Sequence, residues 1–284
     1  MTPRHMVAKR VISPTGLIIT ADDFGRHPAI NAAVEQAHRE GVLTAASIMM
    51  GEAHVAEAVA IAHRNPKLRI GLHVVLTEGR AVLPPSQIPD LVDAQGRFAD
   101  DAMARDGARF FFFPSVRRQL AAEIRAQFEA FKATGLALDH VNAHRHFHLH
   151  PTILALILEV GREFGLRAVR VPDETQAPAL LKPIFALLRR RLTKAGIACN
   201  DQIAGLAHSG GMDETRLLEV LKNLAPGVTE IYLHPATVSG RAIAEPMADY
   251  RHADELAALL SPRVRAALDA LQLPRGGFMD VLAV

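Results

Sequence analysis

Histidine is concentrated in one stretch of this chain. Residues 139–151 read DHVNAHRHFHLHP and hold His140, His144, His146, His148 and His150, five of the 14 histidines in 284 residues. Neutral imidazole is the commonest nitrogen ligand for zinc and similar cations. The stretch therefore reads as a metal-binding loop, against the plainer reading of a polar loop in which histidines coincide. A catalytic metal rarely takes more than three protein ligands, so most of the five must do something else. His144, His146, His148 and His150 alternate, and they share one face if the chain stays extended.

Three other groups fall where apolar runs end. Asp22 and Asp23 follow LIIT, His73 lies within LRIGLHVVL, and His234 follows EIYL. They are far apart in sequence, but carboxyl-end loops of a parallel barrel converge on one mouth. Asp23, His73 and His144 would then offer one oxygen and two nitrogens and leave positions open for water and substrate, as in a hydrolytic metal site. Adjacent aspartates can divide the work, one on the metal and one free as a base. Taken singly, each aspartate could equally be a loop or capping carboxylate.

The elements that must position these groups alternate. Residues 17–20, 42–50 and 68–76 read as strands, and residues 28–40 and 53–65 as helices stopped by Gly41 and Pro66. Residues 136–141 are the strand before the histidines, and Pro151 opens a helix at its first turn. Shorter strands are expected at 168–172, 204–209 and 230–233, with helices at 179–194, 213–224, 250–260 and 262–271. Seven or so strands each followed by a helix predict an α/β fold of one domain, a (β/α) barrel in regular, distorted or incomplete form. Residues 77–114 break the rhythm with four prolines and no sustained period, an irregular insertion of the length functional lids have. It ends in four phenylalanines, 110–113, which are either core or an apolar rim. Ser115 is expected to cap the helix that follows, to about Thr134. The basic, Leu-rich segment 179–194 is either packed on the core or turned to a membrane.

Composition removes several classes. The chain carries 32 basic and 30 acidic residues, a net charge of +2, so no global field points to nucleic acid. One cysteine, Cys199, excludes internal disulfides and suits a reducing cytoplasm. No Gly-x-Ser-x-Gly elbow or Walker A sequence occurs, and DDFGRH stands where a dinucleotide fingerprint would follow the first strand. The amino terminus lacks the apolar core of a secretory signal, and no uncharged apolar run reaches the roughly 20 residues that span a bilayer. A soluble, cytoplasmic protein is expected.

TADDFG, IGLHVVLTEG, DHVNAHRHFHLHP, VRVPDE and IYLHPAT, in this order, resemble the YdjC-like carbohydrate deacetylases, from about Leu17 to Val238. IPDLVDAQGRF and the HRHFHLHP form of the histidine motif resemble the branch associated with hopanoid biosynthesis. The resemblance implies a barrel related to the polysaccharide deacetylases and one divalent metal ion. It also implies removal of an N-acetyl group from an amino sugar, N-acetylglucosamine carried on a hopanoid lipid; the apolar and basic segments 110–113 and 179–194 would then give peripheral contact at the inner membrane surface. Carried onto this sequence, Asp23, His73 and His144 become metal ligands, Asp22 the general base and His234 the general acid. Arg170 orients Asp22 or the substrate, and His146 and His148 line or support the site. The sequence departs from many relatives at Asn142, where they carry Asp, which bears on what supports His144. Two nitrogens and one carboxylate favour zinc, cobalt or nickel over magnesium. Two alternatives stand beside this reading: a deacetylase of soluble chitin-type oligosaccharides, and a non-catalytic metal- or lipid-binding protein on the same scaffold.

Overall fold

The computed structural model describes residues 13–100, 107–110, 112–174, 178–238 and 240–282. Its central strand is β1 (Pro14–Phe24). On one side lie β2 (Ala45–Ile48), β3 (Arg69–Val74) and β4 (Leu138–Ala143); on the other lie β6 (Gly227–Leu233) and then β5 (Gln202–Ala204). All these neighbours pair in parallel. A short β7 (Arg275–Gly276) pairs with the start of β1 at Leu17 and Ile18. Between β4 and β5 the ring is completed by residues 168–174 through single parallel bridges, Val141 to Val169, Ala168 to Ala198 and Glu174 to Ile203. The expected barrel is therefore present, and it is distorted on this side.

The distortion has a local cause. At Val171 a side chain takes the place of a neighbouring strand: Asn200 Oδ1 accepts the Val171 N–H at 2.7 Å and Asn200 Nδ2 donates to its carbonyl at 2.9 Å. The backbone is satisfied, but no ladder propagates.

Helices follow the strands on the outside: α1 (Pro28–Arg39), α2 (Val55–Arg64), α3 (Pro114–Ala133), α4 (Pro151–Glu163), α5 (Lys182–Ala195), α6 (Glu214–Lys222), α7 (His252–Leu260) and α8 (Pro262–Leu271). A final turn, α9 (Phe278–Val281), closes the amino-terminal end. Because side chains alternate along a strand, Leu17, Ile19 and Ala21 face the helices, in the main core, while Ile18 faces the axis with Ala45, Ala168, Val228 and Phe278. The inward rows then turn polar toward the mouth: Thr20 and Asp22 on β1, Ser47 on β2, His73 on β3, His140 and Asn142 on β4, Glu230 and Tyr232 on β6, all buried.

Three expectations need correction. The fifth strand ends at Ala204 rather than running to Ser209, because the chain turns at Gly205. Ser115 is not a cap; α3 starts one residue earlier, with Pro114 in its first turn and Phe113 before it, and no side chain caps it. The histidines do not share an extended face. Residues His144–Leu149 form a 3-10 turn kinked at Arg145 and His146, both left-handed.

The insertion is tied down over residues 77–100. Antiparallel bridges join Arg80 to Arg97 and Val92 to Phe98. Glu123 of α3, fully buried, accepts the N–H groups of Val82 and Leu83 at 2.9 and 3.0 Å, and Gln127 Nε2 donates to Glu123 at 2.8 Å. Gln127 also brackets Val75, accepting its N–H and donating to its carbonyl. A buried donor left without an acceptor costs about 1–3 kcal/mol. Glu123→Ala should therefore lower stability by about that amount and speed hydrogen exchange at Val82 and Leu83 first. Unchanged protection at those two amides would show that the insertion is held elsewhere.

Candidate active site

The site begins where β1 ends. Asp22 follows the inward register of Ile18 and Thr20. Asp23 then takes φ +64°, so consecutive aspartates both reach the barrel mouth, and both are buried. Glu78 (φ +52°), Arg145 (+52°) and His146 (+56°) share the left-handed region. Among the described residues only Gln272 does so elsewhere without being glycine. Such backbone is costly for L-residues and persists where surrounding structure enforces it, typically at sites.

Asp23, His73 and His144 converge. Asp23 Oδ1 lies 3.1 Å from His144 Nδ1 and 3.4 Å from His73 Nε2, and the two imidazole nitrogens are 3.3 Å apart. One donor atom from each lies within 4.8 Å of the others. Both carboxylate oxygens of Asp23 are buried without a hydrogen-bond partner. Three lone-pair atoms at this spacing repel unless a cation or a proton lies among them. Burial alone would favour neutral His144, yet the Asp23 carboxylate outweighs it and raises the imidazole's pKa, so a proton is drawn to the place a cation would take. One carboxylate and two imidazoles are a donor set that could hold a metal ion. Around them, Arg26 Nη1 stands 3.6 Å from Asp23 Oδ2, and Glu78 Oε2 stands 3.6 Å from His144 Nε2 while accepting from Arg145 Nε at 2.8 Å.

Asp22 has a different environment. Arg170, fully buried, donates to it from Nη1 at 2.5 Å and Nη2 at 3.0 Å, and to Glu230 from Nε at 2.9 Å and Nη2 at 2.6 Å. The guanidinium carbon lies 5.2 Å from the centre of the Tyr232 ring. Of the two partners expected for Arg170, it contacts Asp22, and it does not line the cavity. Burial pushes the Asp22 carboxyl up, but the Arg170 charge prevails, with help from His73, and holds it well below the usual carboxylate range. Asn142 does not touch His144. Its Oδ1 accepts from His73 Nδ1 at 2.6 Å and its Nδ2 donates to Asp22 Oδ1 at 3.2 Å.

The opposite wall is aromatic. Rings of His146, Tyr232, His234 and Tyr250 meet edge to face at centroid spacings of 5.7, 5.3 and 5.3 Å. Burial lowers the His234 pKa to about 4 although Asp23 and Asp22 pull it upward, so the resting ring is neutral. The backbone N–H of His234 donates to Glu255 and its carbonyl accepts from His252 Nδ1. Asp22, His73, His144, His146 and His234 line a cavity of about 290 Å³, with Glu78, Arg145, Tyr232 and Tyr250. A larger cleft of about 500 Å³ beside β5 and α6 shares no residue with it. His148 lies deeper, outside the cavity lining, with Nε2 donating to the Arg170 carbonyl at 3.0 Å. His150 caps α4 by accepting from Thr152 N–H and packs on Phe110. Sequence reasoning missed Glu78, Arg145, Arg26, Tyr232, Tyr250 and Glu230. For Glu230 and Tyr232 a signal existed, since both share the inward register of His234 on one strand.

A parallel barrel with a buried Asp-His-His group at its carboxyl-end mouth defines the class: an α/β-barrel protein with a candidate metal site. Residues 16–270 match the family described as YdjC-like protein, and the chain belongs to that family. A carbohydrate deacetylase of Brevibacillus brevis is 38% identical over 156 residues, 55% of this chain and 59% of that protein, so this match spans less than two thirds of the relative. A carbohydrate deacetylase of Geobacillus stearothermophilus is 27% identical over 90% of this chain and 93% of its own. A chitooligosaccharide deacetylase of Yersinia pestis is 28% identical over 93% and 98%. A crystal structure from Enterococcus faecalis V583, described as a candidate cellobiose-phosphate cleavage protein, has a TM-score of 0.76 at 25% identity, covering 94% of this chain and 98% of that one.

Alanine at Asp23, His73 or His144 should each lower divalent-metal content sharply in elemental analysis of the folded protein. Full occupancy in His144→Ala would move the ligand role to Glu78 beside it.

Proposed function

We propose that this chain is a metal-dependent hydrolase that removes the N-acetyl group from an N-acetylglucosamine unit. The observation that carries the reading is the placement of Asp22 and His234 on the cavity that also holds the Asp23, His73 and His144 donors. A group with only a binding role has no need of a carboxylate and an imidazole beside it. The relatives named carbohydrate and chitooligosaccharide deacetylase support the same reaction.

A divalent cation held by Asp23, His73 and His144 would polarise the acetamide carbonyl and make water more acidic; zinc, cobalt or nickel suit the donor set better than magnesium. The chain's own groups supply the rest. Asp22, fixed by Arg170, receives the proton of the attacking water. His234 protonates the departing amine, which is a very poor leaving group as an anion. Because His234 is neutral at rest, it must first be charged, and a proton handed on within the cavity is the nearest source. Asp22→Asn and His234→Ala should keep metal and fold but lose roughly two to four orders of magnitude in turnover. Mass spectrometry of N-acetylglucosaminyl lipid and of chitobiose, each incubated with protein and divalent metals, reads this. Near-normal turnover with verified metal content would remove the residue from its role.

On substrate, we favour an amino sugar carried on a lipid of the hopanoid kind, with a soluble chitin-type oligosaccharide as the second reading, which the Yersinia relative's name favours. The support for the lipid lies at the rim. Phe110 is core, packed on Phe147 and His150, but Phe112 and Phe113 are 76% and 54% exposed; Phe111 lies outside the described residues. Leu180 is 84% exposed, and Ile184 and Leu187 are exposed along α5. The helices these residues begin, α3 and α5, each follow a barrel strand, which places their first turns on the mouth side. Basic Arg190, Arg191 and Lys194 are exposed further along α5. Apolar side chains beside basic charge draw a protein weakly to an anionic bilayer. No helix among the described residues is long and apolar enough to cross a membrane, so contact would be peripheral. Phe112→Ser with Leu180→Ser should impair turnover of the lipid-linked sugar far more than of chitobiose. Equal turnover of both substrates before and after would favour the soluble reading.

A further inference from the structure

Below the cavity, a line of buried polar side chains runs down the barrel axis to its amino-terminal end, and neither the metal reading nor the proposed chemistry uses it. It starts at His73 Nδ1, which meets Asn142 Oδ1 at 2.6 Å. Asn142 Nδ2 donates to Ser47 Oγ at 2.9 Å, Ser47 Oγ meets His140 Nε2 at 3.0 Å, and His140 Nδ1 meets Asp139 Oδ2 at 2.9 Å. Asp139 in turn accepts the N–H groups of Phe278 and Met279, the first residues of α9, at 2.9 and 3.1 Å. Ser47, Asn142 and His140 are fully buried, and Asp139 nearly so.

The donors and acceptors can be assigned in one direction. The Asp139 carboxylate receives hydrogen bonds, so His140 carries its proton on Nδ1 and offers the Nε2 lone pair. Ser47 Oγ accepts from the Asn142 amide and therefore gives its own proton to His140. Asn142 Oδ1 is left to accept from His73, which puts the His73 proton on Nδ1 and leaves Nε2, the atom facing Asp23 and His144, unprotonated. The far end of the line is built to fit. A Cβ on Gly71 would collide with the His140 ring, one on Gly277 would lie 2.5 Å from Asp139 Oδ1, and Phe278 stacks on His140 with centroids 4.4 Å apart.

We propose that Ser47, His140 and Asp139 are positioning residues that act through Asn142 to hold His73 in the tautomer able to take a metal. The inference rests on the metal-site reading above. Asn142 has one other acceptor, Asp22, but that bond is 3.2 Å against 2.9 Å to Ser47, and Asp22 is already engaged by Arg170. Without Ser47 or its acceptor, the amide nitrogen loses its shorter bond and keeps only the 3.2 Å contact to Asp22, so the orientation of the amide is less firmly set and it can rotate. It would then present N–H to His73 Nδ1 and drive the imidazole proton to Nε2, where it competes with a cation.

The test compares Ser47→Ala, His140→Phe and His140→Gln in the full chain. Phenylalanine keeps the stack on Phe278 without ring nitrogens; glutamine can still accept from Ser47. Nitrogen-15 NMR of histidine-labelled, metal-free protein reads the His73 tautomer directly, and zinc titration reads affinity. Wild type and His140→Gln should show the Nδ1–H form of His73. Ser47→Ala and His140→Phe should show a mixture and bind zinc about tenfold or more weakly, the usual effect of losing such support. The double variant should add little, because both substitutions cut one line. A folded Ser47→Ala protein with wild-type tautomer and affinity overturns the proposal, as does loss of affinity in His140→Gln equal to that in His140→Phe. The tautomer is measured without metal, so zinc failing to bind any form would count against the metal reading alone.

Discussion

The barrel depends on one buried cation. Arg170 sits inside it with no exposure and binds two carboxylates in two directions, Asp22 toward the mouth and Glu230 toward the wall. Taking three charges from water is expensive and is offset only where hydrogen bonds are complete. Here four side-chain hydrogen bonds reach the guanidinium, and Tyr232 stacks beneath it. Removing one member would leave an unpaired charge in the core, which costs about 3–5 kcal/mol. Such a cluster does not improve on an apolar core for stability. It fixes where a negative charge stands, at the bottom of a cavity of about 290 Å³.

The cost of that placement appears in the sheet. Arg170 lies in the segment whose ladder is reduced to single bridges, with Asn200 replacing a strand neighbour at Val171. His148, one turn past the mouth, donates to the Arg170 carbonyl. The irregular side of the barrel is thus the side that carries its buried charge. Apolar packing is kept for the amino-terminal layer of Ile18, Ala45, Ala168, Val228 and Phe278, beneath the polar rows.

Much of this was legible in the sequence, and the limits follow from physics. Asp22, Asp23, His73, His144 and His234 could be found because ligand-type residues stood at the ends of apolar runs. The alternating strands and helices gave the barrel and left open whether it was regular, distorted or incomplete, because residues 168–172 read as an ordinary strand and their reduction to single bridges shows only in the structure. Positions within strands were harder. Glu230 and Ser47 look incidental in VTEIYL and AASIMM, and only the inward register shared with Tyr232 or with Ala45 shows where they point. The direction that left-handed backbone gives a side chain was harder still. Glu78, Arg145 and His146 acquire their directions from positive φ angles that no periodicity announces, and this is why the four alternating histidines scatter into a cavity wall, a buried support and a helix cap.

The two adjacent aspartates show what the fold adds to such a sequence. Nothing in TADDFG distinguishes them. In the barrel, Asp22 accepts two hydrogen bonds from a guanidinium and one from an amide, so its charge is compensated and its direction set. Asp23 accepts none and faces two imidazoles and a more distant guanidinium. One carboxylate is satisfied by the protein, and the other is completed only by something positive brought from outside or by a proton on its neighbours. Neighbouring titratable groups pushed into different environments take different roles. The change of register that separates them is the single left-handed residue, Asp23, at φ +64°. The left-handed backbone at that position is therefore what turns two like residues into two differently partnered carboxylates at one mouth, since a regular strand would send Asp23 to the face opposite Asp22.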